Sequence, residues 1–349
     1  MKVVTIVGAR PQFVKAAAVS KVLRAKHQEV LVHTGQHYDY KMSGIFFEGL
    51  EIPDAEVNLE VGSGSHGAQT GAMLDGIEKV LVREKPDWVL VYGDTNSTLA
   101  GALAASKLHI PIAHVEAGLR SFNRQMPEEI NRVLTDHISS RLFCPSDVAV
   151  KNLAAEGVRE NVHIVGDVML DVLLWAKAKV QQNGSRVLQE QKLNPKNYLL
   201  LTLHRAENTD DPRRLAAIVH ALNSISEPIL FPVHPRARKV IAASGHTLKP
   251  HIQMVDPLSY FEMIAASANA RLILTDSGGL QKEAYWLEVP CVTLRDQTEW
   301  VETVDVGWNI LVGASSEQIV AAAKSFRPPA NHPQIYGDGK TAARCVDLL

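Results

Sequence analysis

The chain has 349 residues, 46% of them hydrophobic and 21% charged, and a formal net charge of −2. That length suits two domains of about 150–180 residues, and the balanced charge, with no basic or acidic block, gives no footing for nucleic acid or an anionic membrane surface as partner. No apolar run reaches about 18 residues and Met1-Lys2 leads straight into a strand pattern, so a cytoplasmic protein is expected, with Cys144, Cys291 and Cys345 as reduced thiols, not a disulfide frame or zinc site.

The first element is the β-branched run Val3–Val7, which stops at Gly8. A helical pattern begins near Phe13, so this is a βα unit whose turn carries Arg10 and Lys15. Helix N-termini already favour anions through free N–H groups and the dipole, and two cations there point to a phosphorylated ligand. Further strands are expected over 30–34, 88–92, 112–115, 141–143 and 162–165, with helices over 13–25, 66–84, 97–107, 127–139 and 146–156. The second half repeats the alternation, with strands over 198–203, 229–233, 252–255, 271–275, 291–294 and 309–312. Short continuous Val/Ile/Leu runs suit strands buried on both faces, and their alternation with helices predicts two doubly wound parallel sheets in tandem. The polar stretch from Gln181 to Ser185, continuing to Pro195, marks a hinge between about 166 and 195. The expected division is residues 1–166, residues 167–332 and a tail 333–349 whose helix returns to the first domain.

Ligands of open α/β sheets bind beyond the carboxyl ends of the strands. Here those ends are polar: Asp94 after 88–92, Glu116 after 112–115, His204 after 198–203, His234 after 229–233 and Asp276 after 271–275. Helix capping accounts for Ser97 and for Asp276, but not for Glu116, His204 or Arg10. A cleft lined from both halves accounts for all of them. Ser277-Gly278-Gly279 opens a helix and forms a second anion-binding turn, with Glu283 one turn further on, placed for sugar hydroxyls such as those of a ribose. Pro127-Glu128-Glu129 begins another helix with acids in its first turn, where dipole complementation competes with catalysis as an explanation of Glu128. Two motifs mislead. Gly62–Gly67 matches G-x-G-x-x-G but follows a doubtful strand, in which Glu56, Asn58 and Glu60 alternate, and is expected to be a loop. Gly339-Lys340-Thr341 looks like the end of a P-loop, but Gln334 stands where the first Gly is needed. The 14 histidines form no metal-spaced cluster.

These motifs together resemble the non-hydrolysing UDP-N-acetylglucosamine 2-epimerases. The resemblance runs end to end through Gly8–Gln12, Thr34–His37, Val91–Ser97, His114–Arg120, Pro127–Arg132, His204-Arg205, Val233–Pro235 and Thr275–Gly279. It implies the glycosyltransferase-B architecture, two Rossmann-like domains facing a central cleft. It also implies inversion at sugar carbon 2 by anti elimination of UDP and re-addition to a bound glycal. Asp94, Glu116 and Glu128 are then the acid/base groups, and His204 binds or protonates the leaving diphosphate. Arg10, Lys15, Arg132, His234 and the Ser277–Gly279 turn hold the nucleotide, Glu283 takes the ribose, and uracil lies near Tyr260 and Met263. The implied partner is a UDP-sugar, the implied assembly a homodimer, and neither cofactor nor metal is called for. Two positions depart from the family. Trp300 stands where many members carry a nucleotide-contacting Arg, a variant that, with Ser121-Phe122-Asn123, is also similar to UDP-2,3-diacetamido-2,3-dideoxyglucuronate 2-epimerases. Ala72 occupies the place of a regulatory Arg. A glycosyltransferase of the same architecture and a non-catalytic UDP-sugar sensor are the alternatives. The first has no use for three carboxylates around the donor sugar; the second is separated by turnover.

Overall fold

The computed structural model describes residues 1–36, 54–183 and 186–349, without the side chains of Arg10, Pro11 and Asn183. His37, Gly184, Ser185 and the Arg10 side chain, which the sequence singles out, therefore lie outside the described residues. The chain forms two compact units, Met1–Leu174 with Gln334–Leu349, and Trp175–Pro333.

The first unit carries a seven-stranded sheet. Its strands are β1 (Lys2–Val7), β2 (Gln28–His33), β3 (Val57–Asn58), β4 (Trp88–Tyr92), β5 (Ile112–Val115), β6 (Arg141–Cys144) and β7 (Val162–Ile164). Every pair is parallel and the order is β3-β2-β1-β4-β5-β6-β7. The order reverses between β1 and β4, the position where such sheets open a crevice. Residues of β1 alternate between two apolar layers, Val3 and Val7 on one face, Val4 and Ile6 on the other, as a strand covered on both sides requires. Helix Arg10–Lys26 packs on one face together with Ala342, Cys345 and Val346 of helix Thr341–Asp347. Met73, Ile77, Val80 and Leu81 of helix His66–Glu84 cover the other.

The second unit has six parallel strands: β8 (Leu199–Thr202), β9 (Ile229–Pro232), β10 (Ile252–Val255), β11 (Leu272–Thr275), β12 (Cys291–Thr293) and β13 (Asn309–Leu311). Their order is β10-β9-β8-β11-β12-β13, and the reversal falls between β8 and β11. Leu199, Leu201, Phe231, Leu272, Leu274 and Val292 form its core with Leu215, Ile218 and Leu222 of helix Pro212–Ser224. The α/β class and the two doubly wound parallel sheets expected from the alternation are therefore present.

Two local expectations need correction. The doubted strand before Gly62 exists as the two-residue edge strand β3, paired with Val32 and His33. Its polar alternation belongs to an edge: Glu56 accepts from Leu31 N and pairs with Arg24. The 166–195 span expected to hold the hinge contains helix Val168–Asn183, and the two units divide within it, after Leu174. Buried Leu170, Leu173 and Ala176, at helical spacing, outweigh the polar residues that follow. Capping at Ser97 and Asp276 is also reassigned. Thr95 caps helix Asn96–Lys107 by accepting from Thr98 N, whereas Ser97 is buried beside Thr34 and Gln36. The Gly278–Trp286 helix has Ser277 at its N-cap, and Asp276 instead braces the turn after β8.

Candidate active site

In the first unit the end of β4 carries Asp94 and the end of β5 carries Glu116. Each has acquired a cation. Arg132, from helix Pro127–Ile138, pairs with Asp94, and Lys15, from helix Arg10–Lys26, pairs with Glu116. The Lys15 and Glu116 side chains are about nine-tenths buried, so both members of that pair are largely removed from water. Glu116 adopts φ 71°, a conformation costly for a residue with a side chain, between Gly93 at 62° and Gly118 at 79°. Such strain concentrates at functional turns. Burial raises the Asp94 carboxyl above the ordinary carboxylate value; Arg132 and Lys15 pull it down and Glu116 pushes it up. Four charges from four elements thus share one electrostatic environment.

The neighbouring acids divide sharply. Glu129 is buried and fully engaged, accepting from Ser121 N and Oγ, both 2.9 Å, from Phe122 N at 2.9 Å and from Arg132 at 3.0 Å. It holds the loop after β5 and orients Arg132. Glu128 is exposed and has no hydrogen-bond or ion-pair partner among the described residues. Asn131 donates to Asp94 O at 3.0 Å and Asn96 Oδ1 at 3.1 Å, fixing the Asp94 backbone to the same helix. In the opening turn, Gln12 Oε1 accepts from Gly8 N and Ala9 N, and Gln12 Nε2 donates to Tyr92 O and Thr98 Oγ1. Those two N–H groups already have an acceptor and are not free for an anion.

In the second unit, Asp276 is fully buried and accepts from His204 N (3.1 Å), Arg205 N (2.9 Å) and Asn208 Nδ2 (3.2 Å). It thereby holds His204, whose Nδ1 lies 3.3 Å from Asp276 Oδ1 and whose side chain is 47% exposed. Loss of hydration lowers the His204 imidazole below its ordinary value; Asp276 opposes this, while Arg205 and His234 reinforce it. His234 is exposed and caps helix Pro235–Ala243, accepting from Arg236 N at 3.2 Å. The Ser277–Gly279 turn has two different sides. A Cβ on Gly278 would lie 2.3 Å from Glu299 Oε1 and 3.4 Å from Trp300 Nε1, whereas one on Gly279 would meet nothing within 4 Å. The turn is packed behind and open in front. Behind it Arg295 donates to Glu299 at 2.9 Å, and the buried Lys282 ammonium lies 3.7 Å from the Trp300 ring centroid. Glu283 is half-buried one turn along. Tyr260 is buried at the start of helix Tyr260–Asn269 and Met263, a turn later, is half-buried.

The Gly62–Gly67 motif meets the first cluster through His66, whose Nδ1 lies 3.2 Å from Asn96 Nδ2. A Cβ on Gly62, Gly64 or Gly67 would meet nothing within 4 Å, so no close backbone approach explains these glycines. Gly339 packs against Leu174. The three cysteines are buried free thiols, and among the described residues no helix is long and apolar enough to cross a membrane.

The family model described as UDP-N-acetylglucosamine 2-epimerase matches residues 21–349. The chain belongs to that family. A UDP-N-acetylglucosamine 2-epimerase homolog of Methanococcus maripaludis is 54% identical over 100% of this chain and 99% of its own length. A UDP-2,3-diacetamido-2,3-dideoxy-D-glucuronate 2-epimerase of Pseudomonas aeruginosa is 52% identical, with coverage of 100% and 99%. The crystal structure of Methanocaldococcus jannaschii UDP-GlcNAc 2-epimerase in complex with UDP-GlcNAc and UDP superposes with a TM-score of 0.89 at 46% identity, covering 100% of this chain and 99% of that one. The fold of this epimerase family member is therefore glycosyltransferase-B-like. Sequence reasoning found the strand-end groups of the epimerase but missed their supports, Gln12, Glu129, Arg295 and Lys282. Buried polar side chains three or four residues from a motif are the signal that would have found Gln12 and Glu129.

Proposed function

We propose that the chain interconverts UDP-N-acetylglucosamine and UDP-N-acetylmannosamine by inverting sugar carbon 2 without hydrolysing the sugar nucleotide. The observation that carries this reading is the pair of cation-matched carboxylates, Asp94 and Glu116, on adjacent strand ends of the first unit. Epimerisation at an unactivated carbon needs one group to take a proton and another to return it to the opposite face. Two interacting carboxylates in unlike surroundings supply unlike protonation states. In the proposed reaction a carboxylate removes the carbon-2 proton. The C–H electron pair forms the carbon 1–carbon 2 double bond, and the carbon 1–oxygen bond to UDP breaks in anti geometry. The diphosphate oxygen then adds back to carbon 1 and the proton reaches carbon 2 from the other face. Atoms and charge balance with no outside oxidant, so the route calls for no nicotinamide. Glu128, exposed and without an ion-pair partner among the described residues, is the third candidate acid/base group. Asp94, raised by burial, is the member suited to delivering a proton.

The departing diphosphate needs donors aimed at its developing charge. The Ser277–Gly279 turn, His204, Arg10 and Lys15 are assigned that role, with Arg132 and His234 as further nucleotide contacts. Glu283 is assigned the ribose, and Tyr260 and Met263 the uracil. The working form is proposed as a cytoplasmic homodimer, which light scattering on the purified chain tests.

A second reading, epimerisation of UDP-2,3-diacetamido-2,3-dideoxyglucuronate, is favoured by the 52% identity to the Pseudomonas aeruginosa enzyme and by Trp300. Proton NMR of the chain with each UDP-sugar decides between them. The first reading expects a manno-configured anomeric signal from UDP-N-acetylglucosamine at the faster rate. Turnover of the diacetamido substrate alone would transfer the assignment, and turnover of neither would sink both.

A further inference from the structure

A charged cluster is tied to the turns that carry Asp94 and Glu116. His114, on β5, and Asp136, on helix Pro127–Ile138, are both fully buried. His114 Nδ1 is 2.7 Å from Asp136 Oδ1, and His114 Nε2 is 2.8 Å from the carbonyl oxygen of Gly93, the residue before Asp94. Asp136 Oδ2 accepts from Gly118 N at 3.1 Å, two residues after Glu116, and from Arg120 at 2.7 Å. Arg120 in turn donates to Glu156 through Nε at 2.7 Å and through a terminal nitrogen at 2.8 Å.

The donor count fixes the protons. A carbonyl oxygen can only accept. A carboxylate facing a backbone N–H and a guanidinium is ionised and also accepts. Both ring nitrogens of His114 therefore donate. The groups facing it balance that charge: Asp136 from the helix, Arg120 from the loop after β5, Glu156 beyond Arg120, and Cys144 on β6. Burial, with the Asp136 charge, pushes the Cys144 thiol up to about 12, which leaves it neutral. His114 and Arg120 are matched by Asp136 and Glu156, with the half-exposed His137 ring 3.0 Å from Glu156 at the outer end of the network, so the buried imidazolium is compensated.

We infer that His114 is a positioning residue for the reaction: a doubly protonated imidazolium that, through Asp136, ties the turn bearing Asp94 to the turn bearing Glu116. The tie rests on the reading of those two carboxylates as acid/base groups. It explains how a non-glycine residue is kept at φ 71° in Glu116, since His114, two residues before it, and Gly118, two residues after it, are both anchored to Asp136. A displacement of about 1 Å in such a turn costs about 100-fold in rate.

Two variants separate the two ring nitrogens. The His114→Gln amide nitrogen reaches toward Gly93 O in place of Nε2, whereas that of His114→Asn reaches toward Asp136 in place of Nδ1. Both should lower kcat, His114→Asn by about 100-fold and His114→Gln by about 10-fold. KM and calorimetric UDP affinity should stay within about twofold in both. Equal kcat in the two variants, wild-type kcat in either, or UDP affinity falling in step with kcat overturns the inference. Nitrogen-15 NMR of the unmodified chain at pH 7.5 needs no variant to fold: two protonated ring nitrogens are expected at His114, and one unprotonated nitrogen refutes the imidazolium. If the unmodified chain turns over neither UDP-sugar, the proposed function fails, while the NMR result still decides the state of His114.

Discussion

Asp94 and Glu116 sit 38 and 101 residues from the cations that neutralise them, Arg132 and Lys15. That separation limits what a sequence can say about the site. Each carboxylate is legible as a polar end to an apolar strand; its partner is not, because only the sheet order brings β1, β4 and β5 side by side. Glu128 and Glu129 are equally acidic in the sequence, yet helix rotation buries one against Ser121 and exposes the other. Replacing Asp94 by Asn, Glu116 by Gln or Glu128 by Gln should each lower kcat by about 100-fold or more while UDP still binds. Steady-state kinetics beside calorimetry checks this, and near-normal turnover in any variant removes that residue from the catalytic set. His204 gives a pH prediction. Its imidazole is lowered in the free protein, so the folded chain binds fewer protons than the unfolded one. The free chain therefore loses stability as pH falls below about 6.5. A bound diphosphate would raise the imidazole again, so UDP binding should take up a proton and tighten as pH falls from 7 toward 6. Calorimetry in two buffers of different ionisation enthalpy measures the uptake. His204→Asn should abolish the share that His204 contributes, and an unchanged uptake in that variant would reject the assignment.

At the scale of elements, the buried strands were legible because β-branched and leucine runs flanked by Gly or Pro leave few other readings. Edge elements were not. Strand β3 carries Asn58 at a position that pairs with His33, so its composition resembles a loop. Helix Val168–Asn183 ends in polar residues whose composition does not announce a helix. Glycines behave the same way: the sequence shows where they are, and the packing shows which are needed. Gly118 combines φ 79° with a Cβ site only 2.5 Å from Ala149 O, whereas Gly71, inside helix His66–Glu84, has open space around it. Gly118→Ala should therefore destabilise the chain by about 2 kcal/mol or more, from backbone strain plus a clash with a carbonyl that cannot move freely. Gly71→Ala should stabilise it by about 0.5–1 kcal/mol through helix propensity. Thermal or urea melts of the two variants, side by side, test whether the turn after β5 is held as tightly as its geometry demands. A Gly118→Ala variant as stable as the parent would mean that the turn yields.

Over the whole chain, the proposed reaction divides its work between two units that each put polar groups at a reversal in strand order, β1/β4 in one and β8/β11 in the other. The first unit brings carboxylates matched with cations; the second brings a Gly-rich helix N-terminus and a histidine braced by Asp276. Removing a proton from carbon 2 and holding a diphosphate are separable tasks, so lesions in the two units should fail at different steps. In deuterated water the unmodified chain should place one solvent deuterium at carbon 2 of the product and, as the reaction reverses, of the recovered substrate. Glu116→Gln should bind UDP with near-normal affinity and lose this exchange. Gly279→Asp, which fills the open front of the phosphate turn with a like charge, should instead weaken UDP binding by about tenfold or more, the loss expected when one charge-assisted contact of about 1.5–3 kcal/mol is removed. Proton NMR of the recovered sugar nucleotides and calorimetry with UDP read the two steps separately. Epimerisation without deuterium at carbon 2 would rule out proton abstraction there and return Asp94 and Glu116 to a structural role. A Gly279→Asp chain that binds UDP normally would remove the phosphate turn from the site.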